Sequence, residues 1–376
     1  MLGNILVPCE YPLAATFGLG PEVDPKLTVT GFAIPDPAVF PDPDERRAAQ
    51  FLRGAVPVAD PQYSFRKELM RDLYYWWMTG DDDVLYLWGP TGSGKTSIFT
   101  EWCARLGIPL FVGKGHRGFE PHEAFGHYIL AAGGETVWAP GPVTLAAQYG
   151  CPVLINEYDR IQPSRAIVFN DVFTGQAFTL PGKHGEVVRP VPGFRTVLTG
   201  NTNLVEDPSG NYGTASSHDV SVLERLCSVY VGYPDDDTET KLLDTVLSPL
   251  GDDMLQYWFD QEGIKLSTSA GMKEGSAISR AEFIGGLVEV AHKIREQSKD
   301  GGSNTDAALE RTMSTRILLK WAFHAAGLSK VAEKRGISAL HYALRKFLSG
   351  LATESTRIAL HQAITTVFGV DENLNS

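Results

Sequence analysis

The segment Gly89-Pro90-Thr91-Gly92-Ser93-Gly94-Lys95-Thr96 constrains this chain more than any other. It fits the spacing GxxxxGK(S/T), whose glycines let backbone N–H groups converge on phosphate oxygens. The apolar run 84–88 (VLYLW) stands directly before it and predicts a buried parallel strand. Residues 97–106 read as the helix that must follow, with an N-terminus that favours an anion. Strand, glycine-rich loop and helix in that order make a phosphate cradle. Gly89, Pro90, Thr91, Gly92, Ser93, Gly94, Lys95, Thr96 and Ser97 are therefore expected to hold a phosphorylated ligand. Within it, Lys95 is expected to reach the outer phosphates and Thr96 to ligate Mg2+.

Three more short apolar runs follow, at 109–112, 152–155 and 196–199, with helical segments between them. Strands alternating with helices predict a parallel α/β sheet. The second of these later runs ends in Asn156-Glu157-Tyr158-Asp159, and ligands of open α/β sheets bind at the carboxyl ends of the strands. Glu157 is the candidate that orients or deprotonates an attacking water. Asn156 is placed beside the metal but brings no charge, which predicts slow hydrolysis; Asp159 is a candidate partial substitute. The third run ends in Thr199-Gly200-Asn201, and an amide there is placed to touch a terminal phosphate or hold the water. No guanine-reading NKxD motif lies downstream, so the expected nucleotide is ATP.

Beyond these elements the chain resembles the AAA+ ATPases of the MoxR clade, and within it the CobS family of cobaltochelatase ATPase subunits. The resemblance runs over residues 63–370 in five blocks after the loop. They are Asn156 to Asp159 (NEYD), Gly193 to Thr202 (GFRTVLTGNT), Asp207 to Thr214 (DPSGNYGT), Val222 to Leu226 (VLERL) and Met313 to Ala322 (MSTRILLKWA). The resemblance implies a P-loop NTPase core with a helical C-terminal lid. It implies that Asn201 is the sensor-1 residue and that Arg225 is an arginine finger reaching the adjacent subunit. It implies that Arg316 is a sensor-2 residue on the nucleotide of its own subunit. The other reading of both arginines is a solvated helix charge. The resemblance also implies a homo-oligomeric, hexameric ring and a protein partner carrying a von Willebrand factor A domain. Two inserted hairpins are expected, at 129–138 and 178–189, the second with Lys183 and His184 at its tip. The chain departs from the family pattern at Asn156, where an aspartate is usual, at Thr315, where a proline is usual, and in its N-terminal extension.

Composition sets the remaining bounds. Residues 1–62 hold ten of the 23 prolines and are expected to form an extension poor in regular structure, with a short helix near 44–53. Residues 63–234 are expected to be the α/β core and 235–376 the helical lid, with Asp237 a candidate N-cap at its start and a glycine-rich loop at 300–304. Trp76, Trp77 and Trp88 read as core or interface. The chain has 376 residues and a net charge of −12, which does not indicate a standalone nucleic-acid grip. Its four cysteines form no CxxC pair, no run is long enough to span a bilayer, and the N-terminus does not read as a secretion signal. A cytoplasmic protein is expected. The function expected is a ring-forming ATPase that couples ATP binding and hydrolysis to remodelling of a protein partner. The alternatives are an ATP-dependent component of a nucleic-acid-linked machine and a slow-turnover nucleotide-binding scaffold.

Overall fold

The computed structural model describes residues 5–79, 83–205, 220–268, 271–298 and 309–374. The DPSGNYGT block, Asp81 and Asp82, and the glycine-rich segment 300–304 lie outside the described residues. The chain forms two compact units. The first comprises Met1–Gly89, Gly94–Asp207 and Thr214–Val231; the second comprises Pro90–Ser93, Pro208–Gly213 and Gly232–Ser376.

In the first unit the strands are β1 (Val7–Pro12), β2 (Thr28–Ala33), β3 (Val84–Trp88), β4 (Phe111–Lys114), β5 (Gly126–Leu130), β6 (Thr136–Pro140), β7 (Pro152–Asn156), β8 (Phe178–Leu180), β9 (Glu186–Val188), β10 (Arg195–Gly200) and β11 (Leu226–Tyr230). Five of them make a parallel sheet in the order β11-β3-β10-β7-β4. Its inner strands β3, β7 and β10 carry contiguous apolar residues because both faces are covered. Val84, Tyr86, Val153, Ile155 and Leu198 pack into one cluster, whereas Leu85, Leu87, Leu154 and Val197 pack into another on the opposite face. This is the α/β P-loop architecture expected from the sequence. The fifth strand, β11, carries no clear apolar run because it lies at the edge of the sheet with most of its side chains partly or fully exposed.

Residues 5–62 are more ordered than their prolines suggest. β1 and β2 pair antiparallel from Val7↔Ala33 to Pro12↔Thr28. Pro8 and Pro12 are tolerated because a two-stranded ribbon leaves outward N–H positions unpaired. The segment seats on its own unit. Phe17 stacks on Trp102 at 4.9 Å between ring centroids, and Trp77 Nε1 donates to Thr30 O at 2.9 Å. The expected short helix spans Pro43–Ala55 and is capped by Asp42, which accepts from Asp44 N at 2.8 Å. Trp76 and Trp77, both buried, share the guanidinium of Arg195 at 5.3 Å from each ring. Trp88 packs edge-on against Tyr230. The two expected hairpins are present as β5–β6 and β8–β9.

The second unit is helical. Its helices are Asp236–Leu247, Asp252–Glu262, Arg280–Gln297, Thr315–Glu333, Ala339–Phe347 and Glu354–Phe368, around a core that includes Phe259, Phe283, Trp321 and Phe368. A small antiparallel pair, β12 (Lys265–Thr268) and β13 (Gly271–Glu274), interrupts them. The first helix is capped by Asp235, whose carboxylate accepts from Thr238 N at 2.7 Å; Asp237, expected as the cap, sits inside the first turn. Asp235 wins because the helix starts two residues earlier, leaving Asp236 and Asp237 to complement the dipole. Glu262 is buried, and burial raises its carboxyl above the usual range. It accepts from Trp258 Nε1, Ser338 Oγ and Ala339 N at 2.7, 2.7 and 2.8 Å, which ties the second helix to the start of the fifth.

Candidate functional site

The phosphate loop leaves the C-terminal end of β3, a central strand of the sheet. Gly89 has φ 145° there, and a Cβ on it would fall 2.3 Å from Val231 O, so the turn out of the strand excludes a side chain. Lys95, the first residue of the helix Lys95–Arg105, is buried. Its ammonium donates to Gly89 O at 2.8 Å and to Asn201 Oδ1 at 3.0 Å. The loop therefore curls around its own lysine, which is oriented by the residue that follows β10. Ser97 lies exposed in the first turn of the same helix.

The ends of β7 and β10 complete the cluster because β10 lies between β3 and β7 in the sheet. Thr96 Oγ1 donates to Asn156 Oδ1 at 2.7 Å, and Thr199 Oγ1 donates to the same oxygen at 3.1 Å. Glu157 N in turn donates to Thr199 Oγ1 at 3.2 Å. Glu157 holds a left-handed backbone, φ 56°, which a non-glycine residue adopts at some cost, and such strain clusters at functional sites. Its carboxylate pairs with Arg160 at 3.1 Å. Thr199 and Arg160 were not assigned roles from the sequence. Thr199 has a sequence signal, a hydroxyl at the C-terminal end of a predicted strand, whereas Arg160 has none.

Asp159 is not a substitute for the missing Asp charge at Asn156. It is buried, and its Oδ2 accepts from Asn201 N at 2.7 Å and from Thr202 N at 3.2 Å. The short helical turn after Glu157 turns this side chain under the β10 tip, where it anchors the backbone that presents Asn201. Burial pushes its carboxyl above the ordinary range, against the opposing effect of those two backbone donors.

The donor set fits a Mg2+–nucleotide. It comprises a threonine hydroxyl beside an amide oxygen, a loop-enclosed ammonium and a nearby carboxylate at the carboxyl edge of a parallel sheet. Arg225, of the same unit, lies outside this hydrogen-bonded cluster. Half-buried directly before β11, it donates to Ser221 O and has no bond to the cluster among the described residues. Arg316 is exposed on the first turn of the helix Thr315–Glu333, whose N-cap Ser314 accepts from Ile317 N at 3.3 Å.

On the first unit the two hairpins flank a cavity of about 420 Å3 lined by His122, Phe125, Trp138, Asp171, Phe178 and Leu180. Leu130, beside the β5–β6 turn, is 76% exposed, and Tyr128 and Ile129 are exposed with it. Lys183 is 5.8 Å from the Trp138 ring and pairs with Glu186 at 2.7 Å, while His184 takes the left-handed turn position, φ 53°.

Two protein families match the chain in sequence order. The AAA domain (dynein-related subfamily) matches residues 84–212, and the CbbQ/NirQ/NorQ C-terminal family matches residues 273–367. The chain belongs to the AAA+ ATPases of the MoxR clade. Within that clade it is similar to protein NorQ of Paracoccus denitrificans, 32% identical over 121 residues, 32% of this chain and 44% of NorQ. It is similar to the gas vesicle ATPase GvpN1 of Halobacterium salinarum, 30% identical over 178 residues, 42% of this chain and 49% of that protein. It is also similar to protein CbbQ of Hydrogenophilus thermoluteolus, 27% identical over 160 residues, 42% of this chain and 57% of CbbQ. The chain spans about half the length of the curated relatives it matches. The first family region of this MoxR-clade protein carries Lys95, Asn156, Glu157 and Asn201; the second carries Arg316.

Proposed function

We propose that this MoxR-clade protein hydrolyses ATP with Mg2+ and uses the cycle to remodel a protein partner. The observation that carries the reading is the convergence of Lys95, Thr96, Asn156, Glu157 and Asn201 at one edge of the sheet. In this reading residues 89–97 bind the nucleotide, and Lys95 and Asn201 contact its outer phosphates. Thr96 and Asn156 hold the metal, which when bound neutralises charge developing on the phosphate oxygens. Glu157 accepts the proton of the attacking water. Arg225 acts on the site of an adjacent subunit in a homo-oligomeric ring, which we take as hexameric, and Arg316 acts on the nucleotide of its own subunit.

The hairpins and the cavity between them are the surface assigned to the client. An exposed apolar hairpin beside an aromatic-lined cavity suits an extended protein segment. The partner class proposed is a protein with a von Willebrand factor A domain, and the compartment the cytoplasm. The four thiols are free, and no helix among the described residues is long and apolar enough to cross a membrane. A second reading, a slow-turnover scaffold, is favoured by the neutral Asn156 and by the Arg160 pair that holds Glu157.

The test is ATP turnover measured together with oligomer mass, with and without nucleotide, for the wild type and Arg225→Ala. The reading expects an ATP-promoted ring in both and loss of turnover in the variant, since an arginine supplied in trans is worth about 10³-fold or more. A monomer that hydrolyses ATP regardless of Arg225 refutes the ring mechanism. A ring with no turnover in either protein favours the scaffold.

A further inference from the structure

The second unit buries an ion pair directly behind the first turn of the Arg316 helix. Glu239 is 0% exposed. Its carboxylate takes a two-pronged bond from Arg295, Nη1 to Oε2 at 2.9 Å and Nη2 to Oε1 at 2.7 Å. A third bond comes from Thr315 Oγ1 at 2.6 Å. Arg295 Nε also donates to Met313 O at 2.7 Å. Residues 313 and 315, on either side of the N-cap Ser314, are therefore both tied to one buried pair. The other face of the arginine lies 4.3 Å from the centre of the Tyr233 ring, and Tyr233 OH donates to Thr91 O of the phosphate loop at 3.5 Å. The same turn abuts that loop. A Cβ on Gly92 would fall 2.8 Å from Ser314 Oγ and 3.6 Å from Arg316 Cβ.

A buried ion pair contributes little net stability over an apolar replacement, whereas breaking one partner is costly. What such a pair secures is geometry. Here the geometry is that of a helix start pressed against the tip of the phosphate loop. Where the family pattern has proline at the first helical position, this chain has a threonine whose hydroxyl completes the coordination of Glu239. Proline also suits that position but has nothing to donate.

We propose that Glu239, Arg295 and Thr315 are positioning residues, a buried clamp that holds the first turn of the Arg316 helix in one register against the phosphate loop. Occupancy of the loop and orientation of Arg316 are thereby coupled through Tyr233 and Arg295. This rests on the reading of Arg316 as a nucleotide contact.

The experiment uses the full chain with Mg2+ and a non-hydrolysable ATP analogue, and compares Thr315→Val, Thr315→Ser, Arg316→Ala and the double variant Thr315→Val/Arg316→Ala. Valine removes the hydroxyl at nearly constant volume and serine keeps it. Thr315→Val is expected to weaken analogue binding about tenfold, the scale of one bond to a charged acceptor. Thr315→Ser is expected to stay within about twofold, and the double variant to bind as Arg316→Ala does, because the clamp acts through Arg316. A purely structural role lowers the melting temperature and leaves the binding constant unchanged, or adds its loss to that of Arg316→Ala; either result overturns the proposal. If Arg316→Ala weakens binding and Thr315→Val does not, the clamp falls alone. If Arg316→Ala binds as the wild type does, the nucleotide reading of Arg316 falls and the clamp with it. Should Thr315→Val fail to fold, Tyr233→Phe keeps the ring under Arg295 and removes the bond to Thr91. A loss of about threefold in analogue binding is then expected, and an unchanged constant overturns the coupling.

Discussion

Asn156→Asp tests how this site handles its metal. Asn156 Oδ1 accepts from Thr96 Oγ1 at 2.7 Å and from Thr199 Oγ1 at 3.1 Å. An aspartate offers an oxygen to the same two hydroxyls, so the bonding survives and only charge is added. A net bond between neutral groups contributes about 1 kcal/mol and a charge-assisted one roughly twice that. The gain on the metal side is then about 1–1.5 kcal/mol, or about tenfold in an equilibrium or rate constant. The added charge also lies one residue from Glu157 and three from the buried Asp159, so without metal the variant is expected to be the less stable protein. The assay is steady-state ATP turnover across a Mg2+ titration, with melting temperature recorded with and without Mg2+. The expected result is a Mg2+ midpoint about tenfold lower, a rise in turnover of similar size, and a metal-free melting temperature below that of the wild type. A variant with the wild-type Mg2+ midpoint and turnover refutes the argument that the neutral amide limits this site.

Three further outcomes follow from the geometry. Arg160→Gln frees Glu157 from its 3.1 Å pair; if that pair restrains the base, turnover rises, whereas a fall shows that Arg160 helps to aim it. The partly exposed pair contributes little to stability, so melting is expected to stay near that of the wild type. Phe17→Ala removes a buried ring from Trp102 and is expected to destabilise the first unit by about 3 kcal/mol in denaturant unfolding; a change under about 1 kcal/mol would show the N-terminal segment to be loosely seated. Acid is expected to weaken the second unit. His361 Nδ1 contacts His341 Nδ1 at 2.7 Å, and Ser349 Oγ contacts His361 Nε2 at 2.8 Å. Burial, and then the neighbouring His341, pushes His361 down to about 4, although Glu372 at 4.0 Å opposes the shift. The unfolded chain takes up the proton first, so the contribution is complete above about pH 6.5 and is lost as pH falls from there toward 4. The scale is at most about 3 kcal/mol. Unfolding followed from pH 8 to 4 checks it, and His361→Gln is expected to flatten that slope.

Much of the site was legible because it is written in local patterns. The phosphate loop is eight consecutive residues, and the strands that lead to Asn156 and Thr199 carry adjacent apolar residues, 152–155 and 197–198, because they are covered on both faces. The helices of the second unit announce themselves by period, and even the unassigned one, Asp252–Glu262, buries Leu255, Trp258, Phe259 and Glu262 at helical spacing. Other features depended on neighbours far away in sequence. Prolines in 1–62 predict irregular chain, yet a partner strand about twenty residues later makes room for them in β1. Carboxylates two residues apart, Glu157 and Asp159, read alike at the end of one strand. The left-handed turn at Glu157 leaves it paired with Arg160 and sends Asp159 beneath Asn201. Thr315 reads as a departure from a family pattern until Glu239, 76 residues earlier, is seen accepting its hydroxyl. Sequence by itself determined the elements and the chemistry of the loop, because backbone period and glycine geometry are local properties. Only the tertiary structure decided which polar side chain serves the site and which serves the fold, because a carboxylate or hydroxyl takes its role from the donors that burial brings to it.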